Sequence, residues 1–269
     1  SRGSALVMTR LSSYFSKAGA FAEQLGLSYY YFLSDLVRDF DANSDEIVRR
    51  LAEVAKIIFA KSNLFIETIG ESGEVSAVKD HLYEIADDLP DGNVYQKHTF
   101  DFAEGNKDEA FLTSGKVQYV GEGGDFRKYG FNYTGALRVM ETILRYEYLW
   151  KKVRVQGGAY GAFTQFLSDG TAILCSYRDP NLKQTLETYK NLPEYIRTLE
   201  LSDREMTKYV IGTMAADEIQ LTPSMKGERA MLHYLNGNSV ENRRKVNDEI
   251  VNCTVEDIRK LAPLLQSVI

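Results

Sequence analysis

The spacing of apolar side chains changes twice along this chain, from a helical repeat to a strand-like one and back. Early on, Phe32, Leu33, Leu36, Val37 and Phe40 recur at helical steps, which predicts an amphipathic helix that packs on something. A capped helix follows, with Asn43 or Ser44 as its N-cap and Glu46 in its first turn. Ile47, Leu51, Val54 and Ile58 form its apolar stripe. The repeat then shortens. Residues 63–70 (NLFIETIG), 94–102 (VYQKHTFDF) and 110–121 (AFLTSGKVQYVG) read as strands, with a helix over 74–89 between the first two.

A long helix is predicted over 133–152, with Leu137, Met140, Leu144 and Tyr148 on one face. Two further strand-like runs, FTQFLS and TAILCSY, are joined by Asp169-Gly170, a strong hairpin signal. Beyond residue 180 the pattern is helical. Asp179-Pro180 reads as an N-cap followed by proline at the first helical position. Ser202 with Glu205, Thr222-Pro223, and Thr254 with Asp257 mark three more helix starts. This order predicts an α+β fold, a largely antiparallel sheet backed by helices on one face. With no linker or repeat in view, residues 1–42 read as a helical lead-in or connector and 43–269 as one α+β domain.

Composition narrows the function. At 269 residues, 44% hydrophobic and 26% charged, the chain can bury a substantial core. A net charge of -6 and a pI near 5.3 weigh against nucleic acid as a partner, which needs a basic face. No run approaches the roughly 18 apolar residues of a membrane span, so no membrane partner is expected. Two cysteines, Cys175 and Cys253, cannot make a disulfide framework and read as structural, which fits a reducing compartment. The opening SRGSALVMTR is neither a signal core nor an Arg-rich presequence. Bacterial cytoplasm is the expected location, or an organelle if a targeting segment lies upstream. The absence of an initiator methionine suggests a piece of a longer polypeptide.

Candidate chemistry is sparse. The three histidines, His81, His98 and His233, make no HExxH or HxxEH zinc helix. HLYEI (81–85) has Ile85 where a second histidine is needed, so His81 and Glu84 read as solvent-facing. GEGGDFRKYG (121–130) lacks a phosphate-loop lysine and reads as a flexible connection. No nucleophile and base stand together. What remains is RVQGGAYGAF (154–163), where Gly157 and Gly158 separate Arg154 from Tyr160. A turn there lets a guanidinium and a phenol converge on one polar group, such as a carbonyl oxygen gaining negative charge. The plainer alternative is a helix-to-strand turn with Tyr160 packed and Arg154 solvated.

YLWKKVRVQGGAYGAF followed by SYRDPNLKQTLETY resembles the C-terminal part of the pitrilysin/insulinase-type zinc metallopeptidases, within them the presequence-protease branch. SSYFSKAGAFAEQLGLSYYYFLSDL, AKSNLFIETIGESGEVSAVKDHL and LTPSMKGERAMLHYL are similar to the same branch, so the resemblance covers nearly the whole chain. It implies an α+β domain whose N-terminal partner half, in the same polypeptide, carries the HxxEH zinc motif. The two halves would close as a clamshell around an unfolded peptide. The resemblance gives Tyr160 the scissile carbonyl as it becomes an oxyanion and Arg154 the substrate backbone, with Gly157 and Gly158 lining the substrate site. No cofactor is implied for this chain, since zinc belongs to the N-terminal half, and alone it is expected to hydrolyse nothing. Two alternatives stand beside this: a non-catalytic structural or peptide-binding module of a complex, and a phosphate- or nucleotide-binding domain suggested by the glycines alone.

Overall fold

The computed structural model describes residues 2–92 and 108–269; the strand predicted over 94–102 and His98 lie outside them. The chain opens with helices α1 (Arg2–Ser12), α2 (Lys17–Glu23), α3 (Leu27–Arg38), α4 (Phe40–Ile58) and α5 (Ser72–Asp87). Strand β1 (Gln118–Asp125) precedes α6 (Gly135–Ile143), which continues without a break as a π-wound segment, Leu144–Gln156. The hairpin strands β2 (Gly161–Phe166) and β3 (Thr171–Asp179) follow. The remainder is α7 (Lys183–Lys190), α8 (Leu192–Arg197), α9 (Asp203–Asp217), α10 (Pro223–Leu235), α11 (Val240–Val251), α12 (Val255–Arg259) and α13 (Ala262–Val268). These elements divide into two compact units: Ser1–Tyr31, Phe102–Ile219 and Glu241–Ile269 in the first, Phe32–Asp101 and Gln220–Val240 in the second.

The first unit is built on an antiparallel sheet of order β1-β3-β2. Central β3 sets Cys175 opposite Gly121 on one side and opposite Phe163 on the other. Its side chains alternate between two cores, as the two-residue period of a strand requires. Ala172 and Leu174 join the larger core, with Leu137, Met140, Ile143 and Leu149 of the long helix and Leu264 and Leu265 of α13. Ile173 and Cys175 face the other way, under Tyr14, Phe15 and the α1 residues Val7, Met8 and Leu11. The sheet is therefore α+β as expected but covered on both faces, not one. TAILCS carried that signal, because an apolar run without alternation is what a doubly covered strand looks like.

The second unit differs in character. Within it α4, α5 and α10 carry no buried residue. Its 64–69 segment is tied locally, with Phe65 stacked on Tyr234 at 6.4 Å and Ile69 tight against Gly227. The stripe residues Leu51, Val54 and Ile58 remain exposed, as do Phe32, Leu33, Val37 and Phe40.

Several boundaries depart from the sequence pattern. Residues 64–69 form no strand, because no described strand stands beside their exposed apolar side chains. The capped helix begins at Phe40, with Asp39 as N-cap, and Asn43 instead donates its side-chain amide to Asp39 O at 3.0 Å. The strand expected over 110–121 begins at Gln118, and the GEGGD stretch continues it. Glycine is a poor strand former, which hid β1. Here its lack of a Cβ is required: a Cβ on Gly123 would stand 2.1 Å from Ala172 O. The three helix starts at Ser202, Thr222 and Thr254 match the expected caps, each side chain accepting a backbone N–H. Gly170, at φ +102, closes the β2–β3 hairpin. Among the described residues no helix is long and apolar enough to cross a membrane.

Candidate functional site

The turn RVQGGAYG follows from how the long helix ends. Its buried positions, Leu144, Tyr148, Leu149 and Val153, recur at four- to five-residue steps, a spacing matched to i→i+5 winding. The helix thus runs four residues further than its 3.6-residue pattern predicted, and Arg154 lies in its last turn. Gly158, at φ +78, stops it in the left-handed conformation open to glycine. Gly158 N–H donates to Arg154 O at 2.9 Å and Ala159 N–H to Val153 O at 3.1 Å. Gly157 caps the helix, and Tyr160 emerges beyond it at the head of β2.

Arg154 and Tyr160 are brought together, with the guanidinium carbon 5.8 Å from the ring centroid. The phenol is 58% exposed, so it is not a packed turn residue. The same guanidinium lies 3.9 Å from the centroid of Trp150, the chain's one tryptophan, a cation–π stack of about 0.5–1 kcal/mol at an exposed site. Arg178, at the end of β3, approaches Tyr160 as well, its guanidinium carbon 5.5 Å from the ring. Tyr177 packs 5.5 Å from Tyr160 and 6.2 Å from Phe163. Among the described residues neither Arg154 nor Arg178 pairs with a carboxylate. The result is an exposed patch of aromatic faces and two guanidiniums free to donate.

The SYRDPN stretch fastens this patch. Asp179 is fully buried and accepts from Ser176 Oγ at 2.6 Å, Thr185 Oγ1 at 2.7 Å and Asn181 N–H at 2.8 Å. Asn181 in turn donates its side-chain amide to Gly157 O. Tyr160 N–H donates to Arg178 O at 3.3 Å. Asp179 is therefore no helix N-cap; α7 begins after Leu182, and the carboxylate organises the turn instead. The pattern missed Trp150, and it missed Arg178 and the anchoring role of Asp179 because Tyr160 and Thr185, their partners, come from other elements. For Trp150 a signal existed: it stands four residues before Arg154 on a helix.

Elsewhere, His81 Nδ1 and Glu84 Oε2 lie 3.2 Å apart on the exposed face of α5. Among the described residues no three His, Cys, Asp or Glu side chains gather as a metal site. The residues of the patch, two cations and a phenol, do not suit a metal ion. Cys175 and Cys253 are both buried.

Comparison with known proteins places these residues in context. The family model described as the PreP C-terminal domain matches residues 108–269. Protein HypA of Clostridium perfringens is 39% identical over 98% of this chain, and presequence protease 1 of Arabidopsis thaliana (chloroplastic/mitochondrial) is 29% identical over 99% of it. The chain spans about a quarter of the length of these relatives, 27% and 25%. A crystal structure of a protease from Helicobacter pylori overlays 72% of this chain and 50% of that one at a TM-score of 0.50 and 16% identity, a likeness of fold alone.

Proposed function

We propose, from the premise that this chain belongs to the PreP C-terminal domain family, that its Arg154–Tyr160 turn grips a peptide at the bond being cleaved. One observation carries this reading. An exposed phenol and a guanidinium without a carboxylate partner are held within 5.8 Å of each other by a glycine closure. The Tyr160 O–H donates to the scissile carbonyl oxygen as that oxygen becomes an oxyanion. A donor fixed before the reaction costs no reorganisation when the charge develops, which is why such groups act on turnover. Arg154, its guanidinium stacked on Trp150, donates its fork to backbone carbonyls of the peptide and sets the bond in register.

The remaining machinery belongs elsewhere in the polypeptide. The partner of this chain is then the N-terminal half, which supplies zinc and the water-activating groups, and the substrate is a short unfolded peptide. No step involving the metal falls to residues of this chain.

The test is Tyr160→Phe in the full-length protein. Loss of one oxyanion donor lowers kcat on the order of 100-fold, with a smaller change in KM. A kcat within about twofold of the parent would make Tyr160 a surface aromatic and remove the proposed role.

A further inference from the structure

The turn holds a second cation that the reading above leaves unused. Arg178 is exposed at the end of β3, and its guanidinium carbon lies 5.5 Å from the Tyr160 ring. Among the described residues it is the one non-glycine residue at positive φ, +49. A Cβ is disfavoured in that region, where glycine or asparagine is the usual occupant. The strained backbone is held from both sides, by Tyr160 N–H on Arg178 O and by buried Asp179 as the next residue. Asp179 makes no ion pair with the guanidinium; its carboxylate points inward to Ser176, Thr185 and Asn181. The fold therefore presents an arginine where a glycine would fit with less strain, and leaves its fork open.

We propose that Arg178 is a second substrate-anchoring cation, which takes a carboxylate of the bound peptide near the bond addressed by Tyr160. The inference rests on the peptide-gripping reading of Arg154 and Tyr160. A carboxylate is the favoured ligand on simple grounds. Unlike the half-buried Arg154, which is stacked on Trp150, Arg178 is exposed and gains little by exchanging water for a neutral carbonyl, whereas a carboxylate matches its fork with two charge-assisted bonds. Either an acidic side chain or the peptide's C-terminus presents that group.

The experiment compares the full-length parent with Arg178→Gly, Arg178→Lys and Tyr160→Phe on paired peptides. One pair differs by Glu against Gln beside the cleaved bond; the other has a free or an amidated C-terminus. Arg178→Gly is expected to lower kcat/KM about tenfold or more for the carboxylate-bearing member of one pair. The neutral member should stay within about twofold, and Tm should not fall, because glycine accepts the +49 φ. Arg178→Lys, with charge but no fork, should fall between. The pair that responds identifies the source of the carboxylate. Equal loss on both members of each pair, or a drop in Tm with Arg178→Gly, makes the residue structural and overturns the inference. Arg178→Gly without effect while Tyr160→Phe is crippled removes Arg178 alone. Silence from both variants removes the peptide-gripping reading as well.

Discussion

Replacing Asp179 with asparagine tests whether the RDPN stretch holds the GGAYG turn in place. All three neighbours of the carboxylate donate: the Ser176 and Thr185 hydroxyls to Oδ2 and the Asn181 N–H to Oδ1. Asparagine puts an NH2 group at one of those two sites. Facing Asn181 it meets an N–H that cannot reverse; facing the hydroxyls it makes both give up a donor bond. Hydrogen bonds to a charged acceptor net about 1.5–3 kcal/mol each, against about 1 kcal/mol for a neutral one. Removing the buried charge works in the other direction, because a carboxylate taken from water carries a desolvation penalty. With three donors aimed at it, the lost bonds outweigh that relief, and Asp179→Asn should destabilise by about 2–4 kcal/mol. Thermal unfolding should shift down on the order of 10 °C. Asn181→Ala removes only the side-chain bond to Gly157 O, about 1 kcal/mol, and leaves its backbone N–H on Asp179. The double variant should lose less than the sum of the two single losses, since displacing Asp179 already loosens Asn181. A change for Asp179→Asn inside about 0.5 kcal/mol, or strict additivity, would refute the latch.

Other consequences are direct. Gly158→Ala forces a Cβ into φ +78 and should cost about 1 kcal/mol by urea unfolding; no loss would mean the closure re-forms without a left-handed residue. Glu147 is held below its ordinary value of 4.5 first by its bond from Lys151 and then by the Tyr209 hydroxyl. Its stabilising contribution is therefore complete above pH 4.5 and fades as pH falls below it, so Glu147→Gln should flatten the acid limb of the stability curve; an unchanged limb contradicts this. Burial pushes the thiols of Cys175 and Cys253 up to about 12, with Asp257 adding to the shift at Cys253. At pH 8 each is thiolate to about one part in ten thousand, so the native chain should resist iodoacetamide and take up two equivalents only on unfolding. Rapid native labelling of either would show that the burial is not maintained.

What was legible in the sequence was whatever a residue and its near neighbours decide. Caps at Ser202, Thr222 and Thr254 need only the next three residues, and the hairpin at Gly170 needs only its own turn. The Arg154–Tyr160 pair was legible for the same reason: a glycine closure lies between them. What failed depended on distant partners. Residues 64–69 carry a strand's composition, yet composition cannot supply a neighbouring strand. The glycine-rich end of β1 read as a loop because the use of Gly123 is the close approach of Ala172 from β3, which no local pattern contains. The helix through Gln156 was cut short because a 3.6-residue template stops matching where the winding widens.

The same distinction explains why SYRDPN was misread. Asp followed by Pro is a sound local cap signal, and it lost here because a better set of donors reaches Asp179 from β3 and α7. Having lost its capping role, the carboxylate fixes Asn181, and Asn181 fixes Gly157 from across the turn. The two stretches are then a single device: one presents Arg154 and Tyr160, and the other sets their backbone and adds Arg178. An exposed tyrosine and arginine on an unsecured turn would sample many arrangements, and a donor that must be ordered at each turnover gives up much of its advantage. A turn latched by a buried carboxylate bears that ordering cost once, at folding, which is the property the proposed role of Tyr160 requires.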